Sequence, residues 1–349
     1  MRSLDRRNSA PMANAFSKMT IPAALLGLIV AAAAAPAGKD KIADPPTKSA
    51  QGTLWVDPAD IQSRNLFYGP GGKEHQPNGT NFTFIDEDMD GSNPKYNVKD
   101  QDGVKWKVKL GAEARPETAA TRLVWAVGYF VNEDYFLPNV HVSGLPAHLH
   151  RGGKMVGPDG AMQNVRLKRH LKGEEKVSDW PWRNDPFSGT REWNGLRVMM
   201  ALINNWDLKD DNNSIYEEGS QRLYLVKDLG ASFGTTGFNP RQETSKGNLK
   251  GYEHSHFITK KTSEYVDFAV PSRPALIVFF NPAECLQRMR LRWIGKRVPR
   301  NDARWMGQML AKLSPAQIRD AFLAAGYSKE ETEGFAKVVE KRIGELTAL

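Results

Sequence analysis

The spacing of apolar positions changes along this chain, and each change predicts an element. From Thr83 apolar and polar residues alternate as in strands. FTFI, KYNVKD and VKWKVKL are short β-type runs separated by the Asp/Gly turns DMDGSNP and DQDG, which predicts an antiparallel meander. The period then becomes helical in ARPETAATRLVWAVGYF, where Pro116 suits a first turn and Glu117 suits its positive end. Leu123, Ala126, Val127 and Phe130 recur at helical spacing, and Gly128 marks the end. Val131 to Gly157 is irregular; QNVRLKRHL follows as a strand or an edge, and WPWRNDPFSG as a rigid loop. Ser188 or Thr190 can cap the amphipathic helix Glu192 to Ile203. RLYLVKDLG reads as a strand ending in a turn, ASFGTTGFNP as a glycine-rich loop, and ALIVFF as a buried strand or helix segment. The remainder is helical: RNDARWMGQMLAKL, SPAQIRDAFLAAGY and SKEETEGFAKVVEKRIGEL, the last with Ser328 and Glu331 spaced as a capping box.

This order predicts an α+β protein: a small antiparallel β lobe with one helix, residues 53–140, before a larger, mostly helical lobe, residues 141–349. Residues 1–36 read as a signal peptide. Arg2, Arg6, Arg7 and Lys18 precede the apolar run Ile21 to Ala35, and small residues follow. The run is shorter than the ~20 residues of a spanning helix, and an uncleaved anchor is the alternative. Residues 37–52, with Pro45 and Pro46, read as a linker. The chain is therefore expected to be exported, periplasmic or secreted.

Composition adds less. The single cysteine, Cys285, excludes an intrachain disulfide, points to a core residue after ALIVFF and, in an exported chain, suits a bacterial source. Of the net charge of +8, residues 1–36 hold +3, and most of the remaining excess lies in Arg288, Arg290, Arg292, Lys296, Arg297, Arg300 and Arg304, against Asp302. Such a patch suits an anionic acceptor or peripheral contact with a membrane surface; a solvated helix face is the plainer reading. No nucleic-acid-binding motif is present.

The stretch that demands chemistry is NNWDLKDDNNSIY, Asn204 to Tyr216. Moving a phosphoryl group requires a cation on the phosphates, oxygen ligands for a metal, and a carboxylate where the acceptor hydroxyl arrives. Asp207, Lys209 and Asn212 stand in this loop, Asp228 follows in D-L-G, and Lys109 and Glu117 precede it. In that order, Lys109 would pair with the phosphates and with Glu117. Asp207 would orient the acceptor or take its proton, Lys209 would neutralise the transferring group, and Asn212 and Asp228 would hold the metal.

D-L-K-x-x-N resembles the catalytic loop of protein kinases, with Asn205 and Trp206 where a typical kinase has His-Arg, and D-L-G resembles their D-F-G turn. KVKLGAEARPE is similar to phosphatidylinositol kinases, and GSNPKYNV with the following WKVK is similar to the phosphate loop and lysine strand of HipA-type kinases. From Phe82 to Phe280 the chain thus resembles the atypical branch of the kinase-like superfamily, which includes secretory-pathway kinases. The resemblance implies a two-lobed kinase-like fold, ATP and magnesium as cofactors, and Gly91, Ser92 and Lys95 as further nucleotide-binding residues. It favours Lys109 over Lys105 and Lys107, which share its strand face, because Gly111 and Glu117 follow it. The acceptor (protein, lipid or small molecule) is left open.

Plainer readings stand beside these. Glu117 stabilises a helix start without any function, and the Asp207 loop suits a solvated turn. DEDMDG imitates the start of a calcium loop but has Asn97 at its twelfth position, where a glutamate is needed. The pairs His148/His150 and His254/His256 suggest a metal-dependent hydrolase as one alternative. A kinase-fold scaffold without transfer activity is the other.

Overall fold

The computed structural model describes residues 52–89, 93–171, 173–235, 245–270 and 281–349. The expected signal peptide, nearly all of the linker, Gly91, Ser92, ALIVFF and the end of ASFGTTGFNP lie outside the described residues. The chain divides at residue 49, and every described residue belongs to the unit 50–349.

Five strands close into a barrel in the order β2 (Asn81–Asp88), β3 (Lys95–Lys99), β4 (Lys105–Lys109), β6 (Ala161–Arg169) and β5 (Asp134–Ser143). Alternation decides what fills it. Tyr96 and Val98 of β3 and Trp106 and Val108 of β4 point inward, joined by Tyr135, Val140, Met162 and Leu167. The intervening lysines are left on the outer face. The expected antiparallel meander is therefore only part of the arrangement, because the closing pair, β2 with β5, is parallel. Residue 140, the expected lobe boundary, falls within β5, and β6 beyond it completes the barrel. Closure abolishes the open edges that a three-stranded meander would leave.

α1 (Ala114–Ala126) packs beside the barrel, ending in Gly128 at φ 99°. A buried pair fixes it: Arg122 Nη2 donates to the Asp134 carbonyl at 2.6 Å, and Nη1 reaches Oδ1 at 3.3 Å. The apolar face of α1 (Ala119, Ala120, Leu123, Val124) joins a second, larger core rather than the barrel's own. That core is shared by α2 (Arg191–Leu202), capped by Thr190, and by α5 (Arg300–Leu310), α6 (Pro315–Leu323) and α7 (Lys329–Thr347), the last two carrying capping boxes. The short α3 (Leu249–Glu253) and α4 (Pro282–Arg290) complete the described helices. Gly195 lets α2 and α5 approach, since a Cβ there would lie 2.6 Å from the Tyr129 hydroxyl and 2.7 Å from the Trp305 ring. β1 (Gly52–Thr53), β9 (Gln221–Val226), β8 (Asn213–Glu218) and β7 (Glu174–Ser178) form one sheet; β10 (Ile258–Lys261), β11 (Tyr265–Phe268) and β12 (Val298–Pro299) form another. Cys285, expected in the core, sits partly exposed on α4. None of the described helices is long and apolar enough to cross a membrane.

Candidate active site

Because Trp106 and Val108 fill the barrel, Lys109 takes the outer face of β4, where the start of α1 covers it. Its side chain is 1% exposed. An ammonium buried alone would cost several kcal/mol; here three carboxylates meet it. Nζ lies 2.8 Å from Glu117 Oε2 and 2.7 Å from Glu113 Oε2, and it also donates to Asp228 Oδ1. Glu117 is held from its other side by Arg166 Nη2 at 2.6 Å, and Glu113 by Lys246 Nζ at 2.5 Å and Asn93 Nδ2 at 2.6 Å. Burial works against the Lys109 charge, but Glu117, Asp228 and Glu113 outweigh it and hold its pKa above the ordinary lysine value. For Glu113 and Asp228 the balance is the mirror image. Burial pushes each carboxyl up, and the Lys109 ammonium, with Lys246 beside Glu113, brings each below the usual carboxylate range.

Asp228 reaches this cluster through the β8–β9 hairpin. Asn213 pairs with Val226, and the chain leaves β9 into Asp228 at φ 57°, a left-handed conformation that Asp and Asn tolerate better than most side chains. Two residues on, a Cβ at Gly230 would sit 2.5 Å from the Cβ of Glu113. Glycine is therefore required where this turn crosses the start of α1. Gly230→Ala is expected to cost about 1–3 kcal/mol by overpacking, read as a lower urea midpoint with unchanged m-value; an unchanged midpoint would refute the contact.

The Asp207 loop begins where α2 ends. Asn204, at φ 56°, turns the chain and donates to the Gly234 carbonyl. Two backbone bonds lay the loop along the segment after Asp228: Phe233 N to Ile203 O at 2.8 Å and Trp206 N to Ala231 O at 3.2 Å. Lys227 N donates to Asn212 O at 2.9 Å, and Asn212 Nδ2 donates to Asp207 O at 2.6 Å. Asp207 and Asp228, distant in sequence, are thus carried by neighbouring turns. Arg288 of α4 anchors the Asp207 carboxylate, with Nη1 2.9 Å from Oδ1 and its guanidinium 4.8 Å from the Trp206 ring. Lys209 Nζ stands 3.8 Å from the same oxygen.

No family model and no curated protein matches the sequence. Among solved structures, the chain is similar to a Helicobacter pylori proinflammatory kinase, CtkA, at 12% identity and a TM-score of 0.43, over 77% of this chain and 96% of that one. It is also similar to the golgi casein kinase at 9% identity and a TM-score of 0.31, over 78% of this chain and 74% of that one.

The structure brings Lys109, Glu117 and Asp228 into direct contact and places Asp207, Lys209 and Asn212 in one adjoining loop. Lys95 stands opposite Lys109 on β3, and burial lowers its pKa, opposed by Asp228 and Asp88. Sequence reasoning missed Glu113, Arg166 and Lys246. Glu113 is the N-cap of α1, one turn before Glu117, but residues 110–113, which join it to Lys109, are not helix, so the four-residue spacing of that pair carries no helical meaning. Arg166 and Lys246 arrive through the β4–β6 pairing and the segment after residue 244. Arg288, expected in a surface patch, is buried against Asp207 and Glu284.

Among the described residues, the group of carboxylates or imidazoles close enough to share a metal is Glu113, Glu117 and Asp228, each offering an oxygen within 4.8 Å of the others. These are hard oxygen donors of the kind magnesium accepts. The structure thus sets two glutamates beside Asp228, while Asn212, the expected second holder of the metal, donates its side-chain amide to the Asp207 carbonyl. The histidines do not converge: His150 meets Glu87, and His254 Nδ1 meets the Lys250 carbonyl.

Proposed function

We propose that this chain is a magnesium-dependent phosphotransferase of two-lobed, kinase-like build, taking its phosphoryl group from a nucleotide such as ATP. One observation carries the reading: the buried Lys109 touches both Glu117 and Asp228 while the turn bearing Asp228 is hydrogen-bonded to the loop bearing Asp207 and Asn212. In this reading the barrel and the helical part are the two lobes. Lys109 exchanges one carboxylate partner for donor phosphates, and Glu117 keeps the ammonium oriented. Asp228, with Asn212 and a glutamate of the cluster, would hold the magnesium, which supplies charge neutralisation on the phosphates. Asp207 receives the acceptor's proton, Arg288 and Trp206 fix its carboxylate, and Lys209 faces the group in transfer. An anionic acceptor approaches over the exposed Arg290, Arg292, Lys296 and Arg297.

Titration calorimetry of the full chain with ATP tests this. Binding is expected only with magnesium, and Asp228→Asn, which tolerates the left-handed backbone, is expected to weaken it at least tenfold. A folded sample that takes up no nucleotide with or without the metal would overturn the proposal and leave a scaffold.

A further inference from the structure

The three carboxylates around Lys109 are not held alike. Glu117 Oε2 meets Lys109 Nζ at 2.8 Å, and its other oxygen, Oε1, accepts from Arg166 Nη2 at 2.6 Å. Glu113 also has a second cation, Lys246, at 2.5 Å. Among the described residues, Asp228 has one cation within ion-pair distance, Lys109, and its side chain is 38% exposed against 2% for Glu117. Lys109 can therefore turn from Asp228 to an incoming ligand without leaving a deeply buried carboxylate bare. It stays oriented through the exchange only if Glu117 stays in place.

Arg166 is the residue that fixes Glu117. Alternation along β6 turns Val165 and Leu167 into the barrel. Arg166 between them takes the outer face, opposite Lys109 in the β4–β6 register. α1, which carries Glu117, packs against that face, and Arg166 is only 5% exposed. Its Nε and Nη1 are buried without a hydrogen-bond partner among the described residues, so the bond to Glu117 is the one its guanidinium makes there. As a stabilising device this is poor. Arginine offers a fork of five N–H donors, and leaving buried donors unpaired is costly. A well-packed apolar group often serves a fold as well as a buried ion pair. A buried guanidinium bonded to a single carboxylate calls for a use beyond stability.

Resting on the phosphotransferase reading above, we propose that Arg166 is a positioning residue for phosphoryl transfer. It holds Glu117 by its second oxygen, so that the Lys109 ammonium keeps its orientation when it exchanges Asp228 for the donor phosphates. Arg166 acts through Glu117, and Lys109 is the group that meets the donor.

The test is a double-variant cycle on the full chain. It reads MgATP affinity by calorimetry, turnover by phosphate release with water as acceptor, and folding by the urea midpoint. Arg166→Met is expected to slow turnover by about tenfold or more while MgATP affinity stays within about threefold, because the ammonium's orientation matters most as charge develops on the transferring group. Arg166→Lys, which keeps a cation for Glu117, should turn over faster than Arg166→Met and slower than the parent. In a Glu117→Ala background, adding Arg166→Met should cost less than about twofold, since the group through which Arg166 acts is already gone. A role confined to stability would lower the urea midpoint and leave the folded variant at the parental rate, which overturns the inference. Equal losses with and without Glu117 overturn it as well. Should Arg166→Met not fold, Arg166→Lys decides: about threefold slower turnover at unchanged affinity is expected, and parental turnover overturns the inference. In all these cases MgATP binding by the parent leaves the phosphotransferase reading standing. A folded parent that takes up no MgATP overturns both.

Discussion

Asp207→Asn is expected to slow phosphate release from ATP, with water as acceptor, by about 100- to 10,000-fold, the usual worth of a positioned acid–base group. The substitution keeps the side chain's size and its ability to accept from Arg288, which reaches the carboxylate at 2.9 Å. It removes the negative charge and with it the capacity to take a proton. Nucleotide affinity should stay within about twofold, because Lys109 and Asp228 are untouched. A labelled-phosphate assay beside calorimetry separates the two quantities. Equal rates for the variant and the parent, at equal affinity, would exclude Asp207 from proton transfer.

Lys109→Met should be among the most damaging single changes to stability, costing about 3–5 kcal/mol, because removing one partner of a buried ionic group leaves its counter-charges uncompensated. The carboxylates of Glu113, Glu117 and Asp228 would then face one another without the ammonium between them. The pH dependence follows from the shifts. Glu113 and Asp228 have folded pKa values below their unfolded ones, so their contribution is present above the unfolded carboxylate range and is lost as pH falls through the folded values. In the variant that contribution is gone, so the gap between parent and variant should narrow below about pH 4, as the carboxylates protonate. Urea unfolding at neutral and acidic pH reads this directly. A gap of the same size at both would show that the loss comes from packing rather than charge. Lys109→Met/Glu117→Gln should recover part of the loss at neutral pH.

Much of the local structure was legible because it is written in short-range patterns. The alternation in KYNVK and KWKVK specified β3 and β4, and the capping box expected at Ser328 is present, with a second at Ser314 that the structure adds. Asp207 and Asn212 stood out for a related reason, since a loop at a helix end rich in acids and amides has few structural uses, and Asp228 stood out through the D-L-G turn after a strand. Glu113 was missed because its partners come from Lys109 across a turn and from Lys246, and no period in the sequence connects them. In the basic stretch from Arg288, the first residue departs from the expected surface position while Arg290, Arg292, Lys296 and Arg297 are exposed. The spacing of the stretch marks a charged helix, but the face that Arg288 occupies on α4 points at Trp206 and Asp207, so this guanidinium is buried as an anchor.

The sequence by itself determined the order of elements, the lysine-bearing face of β4, the helix caps, and the short list of residues on which the proposed phosphoryl transfer rests. These depend on neighbours within one or two turns of chain, where steric and hydrogen-bonding preferences act directly. The tertiary structure decided that the meander closes into a barrel through a parallel pair, that Lys109 meets three carboxylates, and that Arg166 holds Glu117. It alone also set the turns of Asp207 and Asp228 side by side. Such facts turn on strand register and on which helix covers which face, and those are fixed by burying the whole apolar surface at once rather than by any one segment.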